Sequence, residues 1–92
     1  MGDFTVKITP AFERDIGSIS KAAALRILKA LKLLKENPFP RGDKIKKLAT
    51  TAQDYRLRVG DYRVIYRIEG TKVIVLRALD RKDFEKILRS LV

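Results

Sequence analysis

Residues 55–68 constrain this chain more than any other stretch. In Tyr55-Arg56-Leu57-Arg58-Val59 apolar and charged residues alternate, Gly60-Asp61 follows, and a second such run extends from Tyr62 to Ile68. Successive side chains of a strand point to opposite faces, so each run has one apolar and one basic face. A two-residue Gly-Asp connection between them marks a tight β-hairpin. The hairpin places Tyr55, Leu57, Val59, Tyr62, Val64, Tyr66 and Ile68 on one side. Arg56, Arg58, Arg63 and Arg67 lie on the other, with Ile65.

The hairpin needs a sheet and a covering layer, and the rest of the chain supplies both. Glu69-Gly70-Thr71 turns the chain into Lys72 to Leu79, which is apolar on both faces as a central strand should be. Alternation assigns Val73, Val75 and Leu79 to one face, and Ile74, Leu76 and Ala78 to the other. Phe4 to Ile8 reads as a short opening strand, and Lys44 to Leu48 as a short strand or edge segment. Thr50 to Asp54 is polar and turn-like.

Thr9-Pro10 is a helix start, with threonine as cap and proline at the first position. Ala11 to Ile16 forms the short helix, closed near Gly17. Ser18 or Ser20 caps a second helix from Lys21 to Lys35. Its buried stripe is Ala24, Ile27, Leu28, Leu31 and Leu34. Asn37-Pro38 stops it, and residues 38–43 form a loop. A last helix follows Asp80-Arg81-Lys82-Asp83, with Phe84, Ile87, Leu88 and Leu91 at helical spacing. The expected class is α+β: an N-terminal strand, an antiparallel helical hairpin, a twisted, mostly antiparallel sheet of three or four strands, and a short C-terminal helix. The helices are expected on one sheet face and the arginines on the other.

At 92 residues, one domain spanning 1–92 is the natural count. There is no Cys and no His. Disulfides and thiolate chemistry are excluded, and a zinc site loses its usual ligands. No metal or cofactor is expected. The N-terminus lacks the pattern of a signal peptide, and no stretch reaches the roughly 18 apolar residues of a membrane span. A soluble, cytoplasmic protein is expected.

The charge is lopsided: 21 Lys+Arg against 11 Asp+Glu, net +10. Such an excess favours a polyanionic partner, whether nucleic acid, an acidic protein or a membrane surface. Thermophilic surfaces are also rich in charge, but they mix both signs in networks. Residues 41–67 hold eight bases (Arg41, Lys44, Lys46, Lys47, Arg56, Arg58, Arg63, Arg67) against three acids (Asp43, Asp54, Asp61), half the net charge. Arg81, ending the central strand, joins this group. Like charges side by side repel, and a bound polyanion relieves the repulsion. Arginine suits phosphate because its planar fork donates two parallel hydrogen bonds. The ordinary alternative is that each arginine pairs with a nearby acid. Tyr55, Tyr62 and Tyr66 read as core residues, Phe84 as the anchor of the last helix, and Lys46 and Lys47 as unspecific backbone contacts.

The run Tyr55 to Tyr66 resembles the hairpin of the RelE/ParE toxin superfamily, Tyr-Arg-x-Arg-x-Gly-x-Tyr-Arg followed by Val/Leu, Ile/Val and Tyr. Val73 to Asp83 resembles the family's last strand and its His-Arg-basic-acidic end, and the resemblance covers nearly the whole chain. It implies a toxin neutralised by a cognate antitoxin. RelE-like members cleave mRNA in the ribosomal A site, and ParE-like members inhibit DNA gyrase. Carried over, the catalytic positions are Arg56, Arg58, Arg63 and Arg81, with Glu85 as proton carrier; Lys44, Lys46, Lys47, Arg67 and Lys82 would bind RNA.

Two departures bear on activity. Asp80 stands where many members have His, and Phe84-Glu85 where many have Tyr. Arginines align and stabilise a phosphate but do not serve as bases. Glu85, Asp80 and Asp83 are the remaining carboxylates, although Asp80 and Asp83 also suit a helix N-terminus. The expectation is a RelE-like, ribosome-dependent mRNA endonuclease. The alternatives are a non-nucleolytic member, namely a gyrase inhibitor or a degenerate antitoxin- or RNA-binding protein, and a designed or stripped-down scaffold.

Overall fold

A computed structural model describes residues 3–49 and 53–91, with side chains to residue 89. The elements run β1 (Thr5–Ile8), α1 (Pro10–Gly17), α2 (Lys21–Glu36), β2 (Ile45–Lys47), β3 (Asp54–Val59), β4 (Tyr62–Glu69), β5 (Lys72–Asp80) and α3 (Arg81–Leu91). The class is α+β, as expected. The first three residues of the expected turn, 50–52, and the Leu91 side chain lie outside the described residues.

The five strands form one sheet in the order β1-β5-β4-β3-β2. β2 through β5 are antiparallel neighbours, and β1 joins parallel to β5, Thr5 opposite Lys72 and Ile8 opposite Val75. β3 and β4 meet through Gly60-Asp61, with Val59 opposite Tyr62. Gly60 has φ +58°, the positive value that a tight hairpin turn requires of its first central residue.

The helices start as the sequence dictates. The Thr9 hydroxyl accepts from the Phe12 amide at 3.2 Å and sits 3.0 Å from the carbonyls of Val75 and Leu76. The cap of α1 is thereby also its attachment to β5. Ser20, rather than Ser18, caps α2, accepting from the Ala23 amide at 3.1 Å.

Apolar residues fill both sides of the sheet. On one side Phe12, Ile27 and Leu34 pack against Ile45, Tyr55, Leu57, Val64, Tyr66, Val73, Val75 and Ala78. The Tyr55 and Tyr66 rings stack at 5.6 Å, and the Tyr66 hydroxyl donates to the Pro38 carbonyl at 2.6 Å. These tyrosines are core, as read. On the other side Phe84 anchors α3 against Leu48, Ile65 and Leu79.

Three expectations are corrected. The helices do not share one face: α3 lies on the arginine side, because Phe84, Ile87 and Leu88 meet Ile65 and Leu79 there. The faces of late β5 also exchange. Ile65 pairs with Arg77 and Tyr66 with Val75, so Leu76 is an extra residue in a β-bulge. One added residue inverts alternation beyond it, so Ala78 enters the main core and Leu79 the second. Finally, Leu28 is 42% exposed, because α2 turns Ile27, Ala30, Leu31 and Leu34 inward instead.

Candidate functional site

The hairpin register decides where the arginines stand. Arg58 lies directly opposite Arg63, and Arg56 opposite Ile65. Arg63 in turn is opposite Leu79 on β5. Two like charges facing each other across a ladder are unfavourable, so these side chains need other partners. Arg63 donates through Nη1 to the carbonyls of Gly60 at 3.0 Å and Tyr62 at 3.1 Å. Arg56 donates to the carbonyl of Asp43 at 2.8 Å. Backbone carbonyls hold both guanidiniums in place, and neither forms an ion pair among the described residues.

The crowding shows in Arg63. Its pKa is lowered, first by burial and then by the charges of Arg56, Arg58 and Arg81, against a smaller opposing pull from Asp61. A guanidinium remains charged at neutral pH, so the lowering reports burial and, after it, repulsion by neighbouring arginines. Arg81 begins α3, and its amide donates to the Asp61 carbonyl at 2.9 Å, which brings the helix start to the hairpin turn. The four arginines singled out from the sequence therefore converge.

The lysines divide. Lys46 is opposite Arg56 and shares its face, but its ammonium pairs with Asp43 at 3.1 Å. Asp43 also reaches Arg58, at 3.8 Å, and its carboxyl is held below the usual range, chiefly by the Lys46 hydrogen bond. Lys47 is opposite the core residue Tyr55, hence on the other face of the sheet. Lys44 turns towards α2, where it lines a cleft with Arg26 and Lys29. Arg67 shares the arginine face but is held by Asp54, Nε to Oδ1 at 2.8 Å, which raises its pKa. Among the basic residues of 41–67 it is the arginine for which the pairing alternative holds most fully.

The carboxylates also differ from expectation. Asp80 accepts from the Asp83 amide at 2.8 Å, the helix-end role its position suggested. Glu85 is exposed on α3 and contacts none of the four arginines among the described residues. Besides Asp43, the acid beside the cluster is Asp61, which lines a cavity of about 360 Å³ with Asp80, Arg81 and Lys82. Sequence reasoning read Asp61 only as a turn residue. Its place beside the Asp80-Arg81 segment comes from the Tyr62–Asp80 pairing, which spans two strands and leaves no local signal. No group of three metal-ligating side chains occurs among the described residues, and no described helix is long and apolar enough to cross a membrane.

Arranged this way, the face can grip a phosphate with several guanidinium donors and stabilise added negative charge on it. Residues 6–88 match the family model described as ParE toxin of type II toxin-antitoxin system, parDE. Among solved structures, the archaeal RelE-RelB complex from Pyrococcus horikoshii OT3 contains a chain 32% identical. The match covers 86% of this chain and 96% of that one, with TM-score 0.73. The toxin-antitoxin complex RelBE2 from Mycobacterium tuberculosis matches at 28% identity, 86% and 99% coverage and TM-score 0.74. The DinJ-YafQ complex of E. coli shares the fold at 14% identity, 88% and 96% coverage and TM-score 0.72. No curated protein sequence matches the chain. With its hairpin arginines, its sheet order and a family match across almost its whole length, the chain belongs to the RelE/ParE superfamily of type II toxin–antitoxin toxins.

Proposed function

We propose that the protein binds RNA on the arginine face and cleaves mRNA at the ribosome, in the RelE manner. The observation that carries this reading is the convergence of Arg56, Arg58 and Arg81 on Arg63, with Arg58 directly opposite it across the ladder and Arg81 brought to the turn by its bond to Asp61. Such a cluster strains the free protein and is relieved by a phosphodiester. In strand cleavage a ribose 2′-hydroxyl loses its proton and attacks the adjacent phosphorus, charge grows on the phosphoryl oxygens, and the P–O5′ bond breaks to leave a 2′,3′-cyclic phosphate and a 5′-oxygen that takes up a proton. Guanidiniums placed around that position lower the barrier without themselves moving protons. Asp61 is the carboxylate best placed to accept the hydroxyl proton, and the ribosome supplies what the protein lacks. The likeness to two RelE toxins above 25% identity supports the RNA reading.

A second reading rests on the acid–base groups. The chain has no His, and carboxylates, ionised at neutral pH, are weaker bases than imidazole. Under it the protein is non-nucleolytic and stops growth by inhibiting DNA gyrase, as the ParE match suggests. Under either reading a cognate antitoxin, with an acidic or amphipathic segment, masks the arginines. Mapping mRNA 5′ ends after expression without antitoxin tests the first reading, which requires new ends within translated codons. Arrest with intact messages, together with inhibited supercoiling in a purified gyrase assay, would establish the second.

A further inference from the structure

A second group of cations lies across the β3–β4 turn from the arginine face. A cleft of about 410 Å³ between α2 and the end of β3 is lined by Arg26, Lys29, Lys44 and Arg58, with Leu33 and Gly60. No acidic side chain lines it, and Arg26 and Lys29 have no ion-pair partner among the described residues.

The Arg26 guanidinium rests over Gly60. A Cβ built at residue 60 would lie 2.7 Å from Arg26 Nη2 and 3.3 Å from its Cζ, so any larger residue there would make that side chain shift. From the other side, Arg63 donates to the Gly60 carbonyl at 3.0 Å. One turn residue therefore touches two guanidiniums, one from α2 and one from β4. Arg58 belongs to both groups, lining the cleft and perturbing Arg63. The cations form a continuous track from the sheet face round the turn to α2.

We propose that this cleft is a second phosphate-contact site, holding the backbone of the same single-stranded RNA whose neighbouring nucleotides lie on the sheet face. The inference rests on the RNA-binding reading above. A chain with one negative charge per nucleotide matches a track of spaced cations. A protein partner would cover exposed apolar surface; Leu25 and Leu28, 55% and 42% exposed, lie off the cleft, and Leu33, 37% exposed, is the one exposed leucine among its four cations.

The test compares a uridine trinucleotide with a uridine dodecamer on the full chain. Arg26 and Lys29 are exposed on α2, so the Arg26→Ala/Lys29→Ala variant keeps the fold, checked by its melting curve. Trinucleotide binding should be unchanged. Dodecamer binding should lose about 1.4 units of log–log salt slope, at roughly 0.7 per contact, equivalent to about 25-fold in affinity at 0.1 M salt. Equal loss for both lengths, or none for the dodecamer, overturns the site. So does a loss confined to polyglutamate, which would make the cleft a docking place for acidic protein. Arg63→Ala is the separate control: unchanged trinucleotide binding there sinks the sheet-face reading, whatever the cleft does.

Discussion

Single side chains in this protein trade stability against function. Arg58 and Arg63 face each other across the hairpin, a pairing that a designer of a stable sheet would avoid. Arg58→Gln should therefore raise unfolding free energy by a few tenths of a kcal/mol, the scale of exposed cross-strand pairs, while weakening RNA binding. Chemical denaturation and a binding titration on the same sample check both signs; a destabilised variant contradicts the strain account. Asp15 works the other way. Its carboxylate accepts from Arg77 Nε at 2.7 Å, Arg77 Nη2 at 3.0 Å and the Ala78 amide at 2.9 Å. Asp15→Ala leaves that amide and guanidinium unmet and should cost about 1–3 kcal/mol, read as a lowered denaturation midpoint. The arginine cluster was legible because alternation is local, and four residues either side of Gly60 suffice to assign faces. The Asp15–Arg77 pair and the approach of Arg26 to Gly60 were not. Each joins side chains distant in sequence, and no periodicity reports on such meetings.

Element positions were read well up to the point where alternation breaks. The Thr9 cap, the Asn37-Pro38 stop and both hairpin turns follow from local chemistry and lie where expected. The bulge at Leu76 does not announce itself, because Val73 to Leu79 is apolar on both faces and either phase looks equally good. Its effect is large. It turns Leu79 to the arginine side, where Leu79 and Ile65 give Phe84 a surface to bury against. This places α3 beside the cluster instead of behind the sheet. Phe84→Ala removes the main anchor of α3, and large aromatic truncations in cores cost about 3–5 kcal/mol. The value here should fall at the lower end, because this second core is small. Hydrogen exchange should show protection lost in α3 before β3 and β4; uniform loss would mean that the two cores melt together.

Across the whole molecule, one buried hydroxyl sets an alkaline limit. Burial, more than the neighbouring Tyr55, raises the Tyr66 pKa far above its ordinary 10.0. The neutral phenol is thus favoured in the fold. Its contribution is complete below pH 10.0 and is lost as pH rises from there towards the folded value. Tyr66→Phe removes the bond to Pro38 and should cost about 1–2 kcal/mol at neutral pH, and the variant's denaturation midpoint should then fall less steeply than the parent's above pH 10. Parallel pH profiles would show that Tyr66 plays no part in the limit. The parallel seam between β1 and β5 has a temporal meaning as well. Residues 5–8 wait for partners at positions 72–75, made long after them. During synthesis β1 stays unmatched until β5 has been made. A product cut short before β5 has no neighbour for β1 and no Ala78 amide for Asp15, so a chain truncated there should fail to fold rather than fold into a weakened form.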